Sequence, residues 1–298
     1  MSNSTDTPKG YAPFDLYSYN PAQPPAYAFL ALFGIAATTH FVLMFPYRAA
    51  FPIPMIIGSG SKQPPRSILH QLTHSVECAA YWFRSRSHDN LRQTLPFLLQ
   101  NLLMLVAPPF LAATLYMSLS RITRALRAEE LSLISLRWIT KFFVLVDLAC
   151  FVTQAAGAIM SGSEVPDEAK RGKTIIICGL ILQIAAFALF LLCILVLQVR
   201  VKSCPTSHCL AGVLSYRRYL VGLYCTSGLF LIRNIVRIVE YNQGGDGPLL
   251  SNEAFLYIFD GCFMLGITVI IIVLHPGRLM KQAKRADFMK DEVLLESR

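Results

Sequence analysis

Six unbroken apolar stretches, each about as long as a membrane is thick, constrain this chain more than any other feature: residues 27–45, 94–118, 139–160, 174–199, 219–240 and 254–274. A helix of roughly 20 residues crosses about 30 Å of hydrocarbon. A soluble helix would keep one polar face; these are apolar nearly all round, so lipid is their solvent. With 54% hydrophobic and 15% charged residues in 298 positions, the chain has room for one helical bundle and for no large soluble domain beside it. The expected fold class is all-α, a polytopic seven-transmembrane-helix bundle. Its expected parts are an extracellular N-terminal segment (1–26), a seven-span membrane domain (27–277) and a cytosolic tail (278–298). The first residues are polar and Pro-bearing, without a basic region leading into an apolar core, and do not read as a cleaved signal peptide.

The seventh stretch lies between the first and second of these six and is cut in two. Residues 51–60 are apolar but contain Pro52 and Pro54; 61–74 are polar, with Lys62, Pro64, Pro65 and Arg66; 75–83 are apolar again. Ten residues of helix reach only about 15 Å, so neither piece spans alone. Without 62–75 they would join into a stretch of about 28 Å. On one reading 62–75 is translated intron sequence retained in the gene model; on the other it is a re-entrant loop whose backbone is satisfied by protein or water.

The net charge of +9 does not gather on one soluble face, as a nucleic-acid binder requires, but segregates by loop. Arg48, the group Arg121, Arg124, Arg127 and Arg137, the group Arg200, Lys202, Arg217 and Arg218, and the group Arg278, Lys281, Lys284 and Arg285 follow spans one, three, five and seven. The intervening segments are poorer in Lys and Arg, with Arg86 and Arg92 in 85–93 as the weak exception. The positive-inside rule then puts the N-terminus outside and the C-terminus in the cytosol, which requires an odd number of spans. Of the eight cysteines, six lie in spans; Cys204 and Cys209 sit in an inward loop with His208, short of the second ligand pair zinc needs. No cofactor or metal site is expected. The sequon Asn3-Ser4-Thr5 is compatible with an outside N-terminus.

Polar residues inside the spans are the candidate site. Glu77, Tyr81 and Arg84 in span two, Arg233, Arg237 and Glu240 in span six, and Glu253, Tyr257 and Asp260 in span seven each follow an i, i+4, i+7 spacing, which places a trio on one helix face. Gln100 and Asn101 in span three, Asp147 and Gln154 in span four, and Gln183 in span five add to them. Ionised groups at this depth cost several kcal/mol unless paired or wetted, so the faces are expected to point inward. With the N-terminus outside, most of them converge on the outer half, and Asp147 lies deeper. They form either a salt-bridge network that locks helix register or a hydrated cavity for the polar head of an amphipathic molecule, its acids attracting an amine and its arginines a phosphate. Pro108 and Pro109 are expected to kink span three and free backbone carbonyls near that site. Gly157, Gly179, Gly222, Gly228 and Gly266 are expected to permit close helix approach.

The ordered set of these residues resembles the fungal lipid-translocating exporter family of seven-span proteins, the group associated with resistance to aminocholesterol. The matching motifs are Glu77-x3-Tyr81-x2-Arg84, Gln100-Asn101 with Ala107-Pro108, Tyr116 with Arg121, Lys141-Phe142-Phe143 with Asp147, Gln154-Ala155-Ala156-Gly157, Gly179-Leu180-x2-Gln183, Arg233-x3-Arg237-x2-Glu240-Tyr241, Glu253-x3-Tyr257-x2-Asp260 and His275-Pro276-Gly277. Ala80, where the family usually has Gly, and the segment 62–75 depart from the pattern. The resemblance implies a plasma-membrane protein tied to export or transbilayer movement of amphipathic lipids such as sphingoid bases or phospholipids, and to tolerance of toxic lipophiles. Its partners would be membrane lipids and an amphipathic substrate, with no nucleic acid. The alternative is a seven-helix lipid or sterol sensor. The chain has no G-x4-G-K-[ST] pattern of an ATP-driven pump, no Lys in span seven for a retinal Schiff base, and no His-Glu-x2-His or nucleophile motif of an intramembrane enzyme.

Overall fold

The computed structural model describes residues 11, 17, 19–44, 66–161, 165–203, 216–243, 247, 252–274, 278 and 282. Seven long helices carry the chain: α1 (Gln23–Met44), α2 (Arg66–Ser87), α3 (Thr94–Ala125), α4 (Leu136–Ser161), α5 (Pro166–Ser203), α6 (Tyr216–Gln243) and α7 (Glu253–Val273). Consecutive helices run antiparallel. At one end the amide of Ala22 meets Glu253, His88 Nδ1 lies 2.7 Å from the Pro21 carbonyl, and Lys173 donates to the Asn242 carbonyl. At the other end Arg200 donates to the Leu131 carbonyl. Each helix packs on the next, and α7 returns against α1 to close the ring. The central helix is α3, which also touches α5 and α6; 67% of its apolar stretch is buried, against 28% for α1 and α4.

The bundle is inverted relative to a water-soluble one. Ile35, Leu145 and Ile159 are about two-thirds exposed, while Arg84 and Asp147 are 1% exposed. Hydrocarbon rather than water matches such a surface. Trp82 and Trp138, the only tryptophans of the chain, stand near opposite ends of the bundle. Each lies under a cation, Arg86 at 5.8 Å and Lys141 at 5.4 Å, an amphipathic pairing suited to the two membrane–water boundaries.

Among the described residues six helices have the length and composition to cross a membrane; α2 does not. Its 22 residues nevertheless reach about 33 Å. Residues 66–75, within the polar segment expected to interrupt span two, form the first turns of α2, continuous with the stretch bearing Glu77 and Arg84. The helix begins directly after Pro64-Pro65, where proline punctuation favours a start. Hydropathy scores α2 low because it counts polar residues without their direction: Thr73, His74, Glu77, Arg84, Ser85 and Ser87 are all buried in the bundle. The apolar run 51–60 and residues 62–65 lie outside the described residues, as do Cys204, Cys209, Asn3 and His275-Pro276-Gly277.

Helix approach through glycine is seen where α4 crosses α5. A Cβ at Gly157 would stand 2.7 Å from the Gly172 carbonyl, and one at Gly179 would stand 2.8 Å from Thr153 Oγ1. Gly228, by contrast, has nothing within 4 Å of such a Cβ, so the expected close approach does not occur there. The six described cysteines, Cys78, Cys150, Cys178, Cys193, Cys225 and Cys262, are free thiols.

Candidate functional site

Two charged clusters form between α2, α6 and α7 near the end of the bundle that carries the N-terminal segment. In the first, Arg84 Nη2 donates to Glu253 Oε1 at 2.8 Å and to the Tyr19 hydroxyl at 2.9 Å, and its Nε donates to the Tyr257 hydroxyl at 3.0 Å. Glu253 also accepts from the amide of Ala22 through both oxygens. The N-terminal approach to α1 is thereby tied to the start of α7.

About two turns further along α7 from Glu253, Asp260 accepts from two guanidiniums of α6, from Arg233 Nε at Oδ1 and from Arg237 Nη2 at Oδ2, the latter at 2.7 Å. Arg237 also donates to Glu240 through Nη1. The remaining Nη2 of Arg233 reaches the backbone carbonyl of Met104 in α3 at 3.3 Å. Pro108 has no N–H with which to bond the carbonyl four residues back, so this acceptor is one that the proline frees. The freed carbonyl expected near the site is therefore present, held by an arginine.

The geometry of α7 explains how Tyr257 and Asp260 are presented. Residues Tyr257–Cys262 form a π-helical turn between two α-helical pieces. The wider turn distorts the ladder at this site, a device that recurs at functional positions. Gly261 lies within it, and a Cβ there would stand 2.7 Å from both Phe29 Cε1 and the Tyr81 hydroxyl. The rings of Phe29, Phe33, Tyr81 and Tyr257 stack into a wall from α1, α2 and α7, with centroids 5.3–6.2 Å apart along its contacts. Tyr81 is thus buried in aromatic packing beside the charges, and Arg84 stands 5.1 Å from the Tyr257 ring centroid.

Of the other candidate residues, Gln100 is buried and accepts from the Tyr17 hydroxyl at 2.7 Å. Burial pushes the Tyr17 phenol above its usual pKa. Asn101 is exposed on the surface of α3 and takes no part in the cluster, contrary to the inward face expected for it. The neighbouring helical positions point about 100° apart, and only Gln100 faces in. Gln154 Nε2 donates to Gln183 Oε1 at 3.1 Å, joining α4 to α5. Asp147 is buried and accepts from the Tyr116 hydroxyl at 2.7 Å, apart from the arginines; the Tyr116 ring in turn packs on Phe143 and Phe190. Among the described residues, no group of His, Cys, Asp and Glu is arranged to hold a metal ion.

Asn234 is the residue that sequence reasoning missed. It is fully buried, and neither amide atom has a hydrogen-bond partner among the described residues. The Phe187–Phe230 stack at 4.9 Å fixes the register of α5 and α6 and brings Asn234 level with Gln183, each one turn further along. Its signal was present in the chain: Ser227 and Asn234, seven apart, break the apolar run on a second face beside the arginines. Tyr17 and Tyr19 lay in a segment read only as a polar tail.

A lipid-facing apolar surface around a core of ion pairs, on seven antiparallel helices, defines an integral membrane protein of the polytopic helical class. The family described as RTA1 like protein matches residues 71–283, and the chain belongs to it. The match begins inside α2, ahead of Glu77. Among relatives in Saccharomyces cerevisiae, Protein RTA1 is 31% identical over 275 residues, covering 88% of this chain and 85% of its own. Protoporphyrin uptake protein 1 is 37% identical over 206 residues, 68% of this chain and 65% of its own. Sphingoid long-chain base transporter RSB1 is 25% identical over 285 residues, 85% of this chain and 71% of its own. No solved structure matches the chain.

Proposed function

We propose that the protein moves amphipathic lipids or lipophiles from one leaflet to the other at the plasma membrane, with its N-terminus outside and the charged clusters near the outer leaflet. The observation that carries this reading is the coupling of Arg84 to Glu253 and of Arg233 and Arg237 to Asp260 inside a lipid-embedded bundle. Ionisable groups at that depth are expensive, and they mark pathways for polar cargo more often than they serve packing alone. The network offers both signs at one level. A carboxylate released from its arginine can take an amine, and a released guanidinium can take a phosphate or carboxylate as a fork.

The two relatives whose names state a cargo agree with that chemistry from opposite sides. A sphingoid base carries an amine, and protoporphyrin carries carboxylates. The aromatic wall of Phe29, Phe33, Tyr81 and Tyr257 beside the charges supplies the apolar surface that the rest of an amphipathic cargo needs. The competing reading, a lipid or sterol sensor, uses the same site without passage.

Proteoliposomes containing the purified chain separate the two readings. A labelled sphingoid base placed in one leaflet is expected to reach the other faster than in empty vesicles, and the excess rate is expected to fall in Asp260→Asn. Binding of the base without faster movement would replace the translocator by the sensor.

A further inference from the structure

The charged groups of the site do not balance. Arg84, Arg233 and Arg237 supply three guanidiniums, and Glu77, Glu240, Glu253 and Asp260 supply four carboxyl groups. The ion pairs consume Glu253, Asp260 and Glu240. Glu77 is 4% exposed and takes part in none of them, and it forms no hydrogen bond among the described residues. It nevertheless lies within electrostatic reach of Arg233 and Arg237 from α6 and of Asp260 from α7. On its own helix Cys78 and Tyr81 adjoin it. No titratable group of α1 or α3 interacts with it among the described residues.

Three cations against three paired carboxylates leave Glu77 as the surplus acid. An unpaired carboxylate at this depth is strongly disfavoured, whereas the protonated acid carries no charge to bury. Its partners are present but occupied, because Arg233 and Arg237 both point at Asp260.

We propose that Glu77 is a proton-exchange site: it holds a proton while Arg233 and Arg237 engage Asp260, and releases it to water when a cationic amine takes Asp260 and frees a guanidinium to pair with Glu77. The charge count closes in both states. At rest three cations face three carboxylates; with the amine bound, four face four. One amine enters as one proton leaves, so loading is electroneutral, and a difference of one pH unit sustains up to about a tenfold amine gradient. This inference rests on the translocator reading for its cargo, and the proton site itself is tested separately.

The test uses the full chain in proteoliposomes with an N-trimethylated long-chain base, whose fixed charge cannot carry a proton across by itself. The signal is read by infrared spectroscopy. Asp147 is a second buried carboxyl and contributes a band of its own, so the readout is the difference on adding the base: a protonated-carboxyl component is expected to be lost in the natural protein, and that loss is expected to be missing in Glu77→Gln. Glu77→Asp is expected to shift the band and not abolish it, which separates loss of the proton site from misfolding. Movement of the base is expected to quicken under a pH gradient in the natural protein and to lose that response in Glu77→Gln. A base-induced loss of the protonated-carboxyl component that survives in Glu77→Gln, or a gradient response that survives there, overturns the proposal. If no form moves the base, the translocator reading fails; the infrared band still decides Glu77, since a band indifferent to the added base overturns the exchange.

Discussion

Arg233 and Pro108 are linked through one backbone oxygen: the Met104 carbonyl, which Pro108 cannot bond from within α3, accepts from Arg233 Nη2 of α6 at 3.3 Å. A helix defect and a buried cation satisfy each other. The guanidinium that α6 brings to Asp260 is at once the group that repairs the central helix of the bundle. Neither feature is stable alone in lipid, where an orphan carbonyl and an unpaired cation are both costly.

Pro108→Ala tests that link. Alanine restores the N–H at position 108 and competes with Arg233 for the Met104 carbonyl. The helix gains propensity, worth up to about 3 kcal/mol. The thermal midpoint in detergent is therefore expected to hold or rise while lipid movement slows. A variant as fast as the natural protein would show that the arginine anchor at Met104 does not matter for movement.

Asp260→Asn is expected to be the most damaging single change in the site, because it strips the buried Arg233 of its carboxylate and Arg237 of one of its two; removing one partner of a buried pair costs about 3–5 kcal/mol. Arg237→Gln leaves Arg233 on Asp260 and is expected to cost less. Glu253→Gln is expected to cost less again, since Glu253 is 17% exposed and its place can be taken by water. Unfolding midpoints of the three variants in one detergent give the order, and a reversed order would refute this account of the pairing.

Gly261→Ala is expected to be overpacked against Phe29 and Tyr81, at a cost of about 1–3 kcal/mol. The second change Phe29→Leu opens the space the methyl needs and is expected to recover part of that loss. Equal midpoints for Gly261→Ala and the natural chain would mean that the π-helical turn yields freely.

The Gln154–Gln183 pair makes a separable prediction. Gln154→Leu leaves Gln183 buried without its donor, at about 1–3 kcal/mol. The double change to Leu removes both polar ends and is expected to be close to neutral. A double variant worse than the single one would point to a further role for these amides.

Much of this site was legible in the chain. The i, i+4, i+7 trios put Glu77 with Arg84, Arg233 with Arg237, and Glu253 with Asp260 on shared faces, and lipid left those faces nowhere to go but inward. The extent of α2 was not legible, because residues 66–75 are largely polar and read as loop, although the backbone there is helical and turns Thr73 and His74 to the interior. Asn101 failed for the opposite reason: adjacency to Gln100 in the chain means divergence around the helix.

The sequence by itself determined that the chain is a bundle of membrane helices, because runs of apolar residues have no other stable place, and it determined which side chains would have to find partners inside. Tertiary structure alone decided who the partners are. Asp260 takes both Arg233 and Arg237 of α6, Glu253 takes Arg84, and Glu77 takes none among the described residues. Those choices depend on helix rotation, on the π-helical turn at Tyr257–Cys262 and on the register set by ring stacks such as Phe187 on Phe230. They arise from packing many residues at once, which local periodicity does not encode.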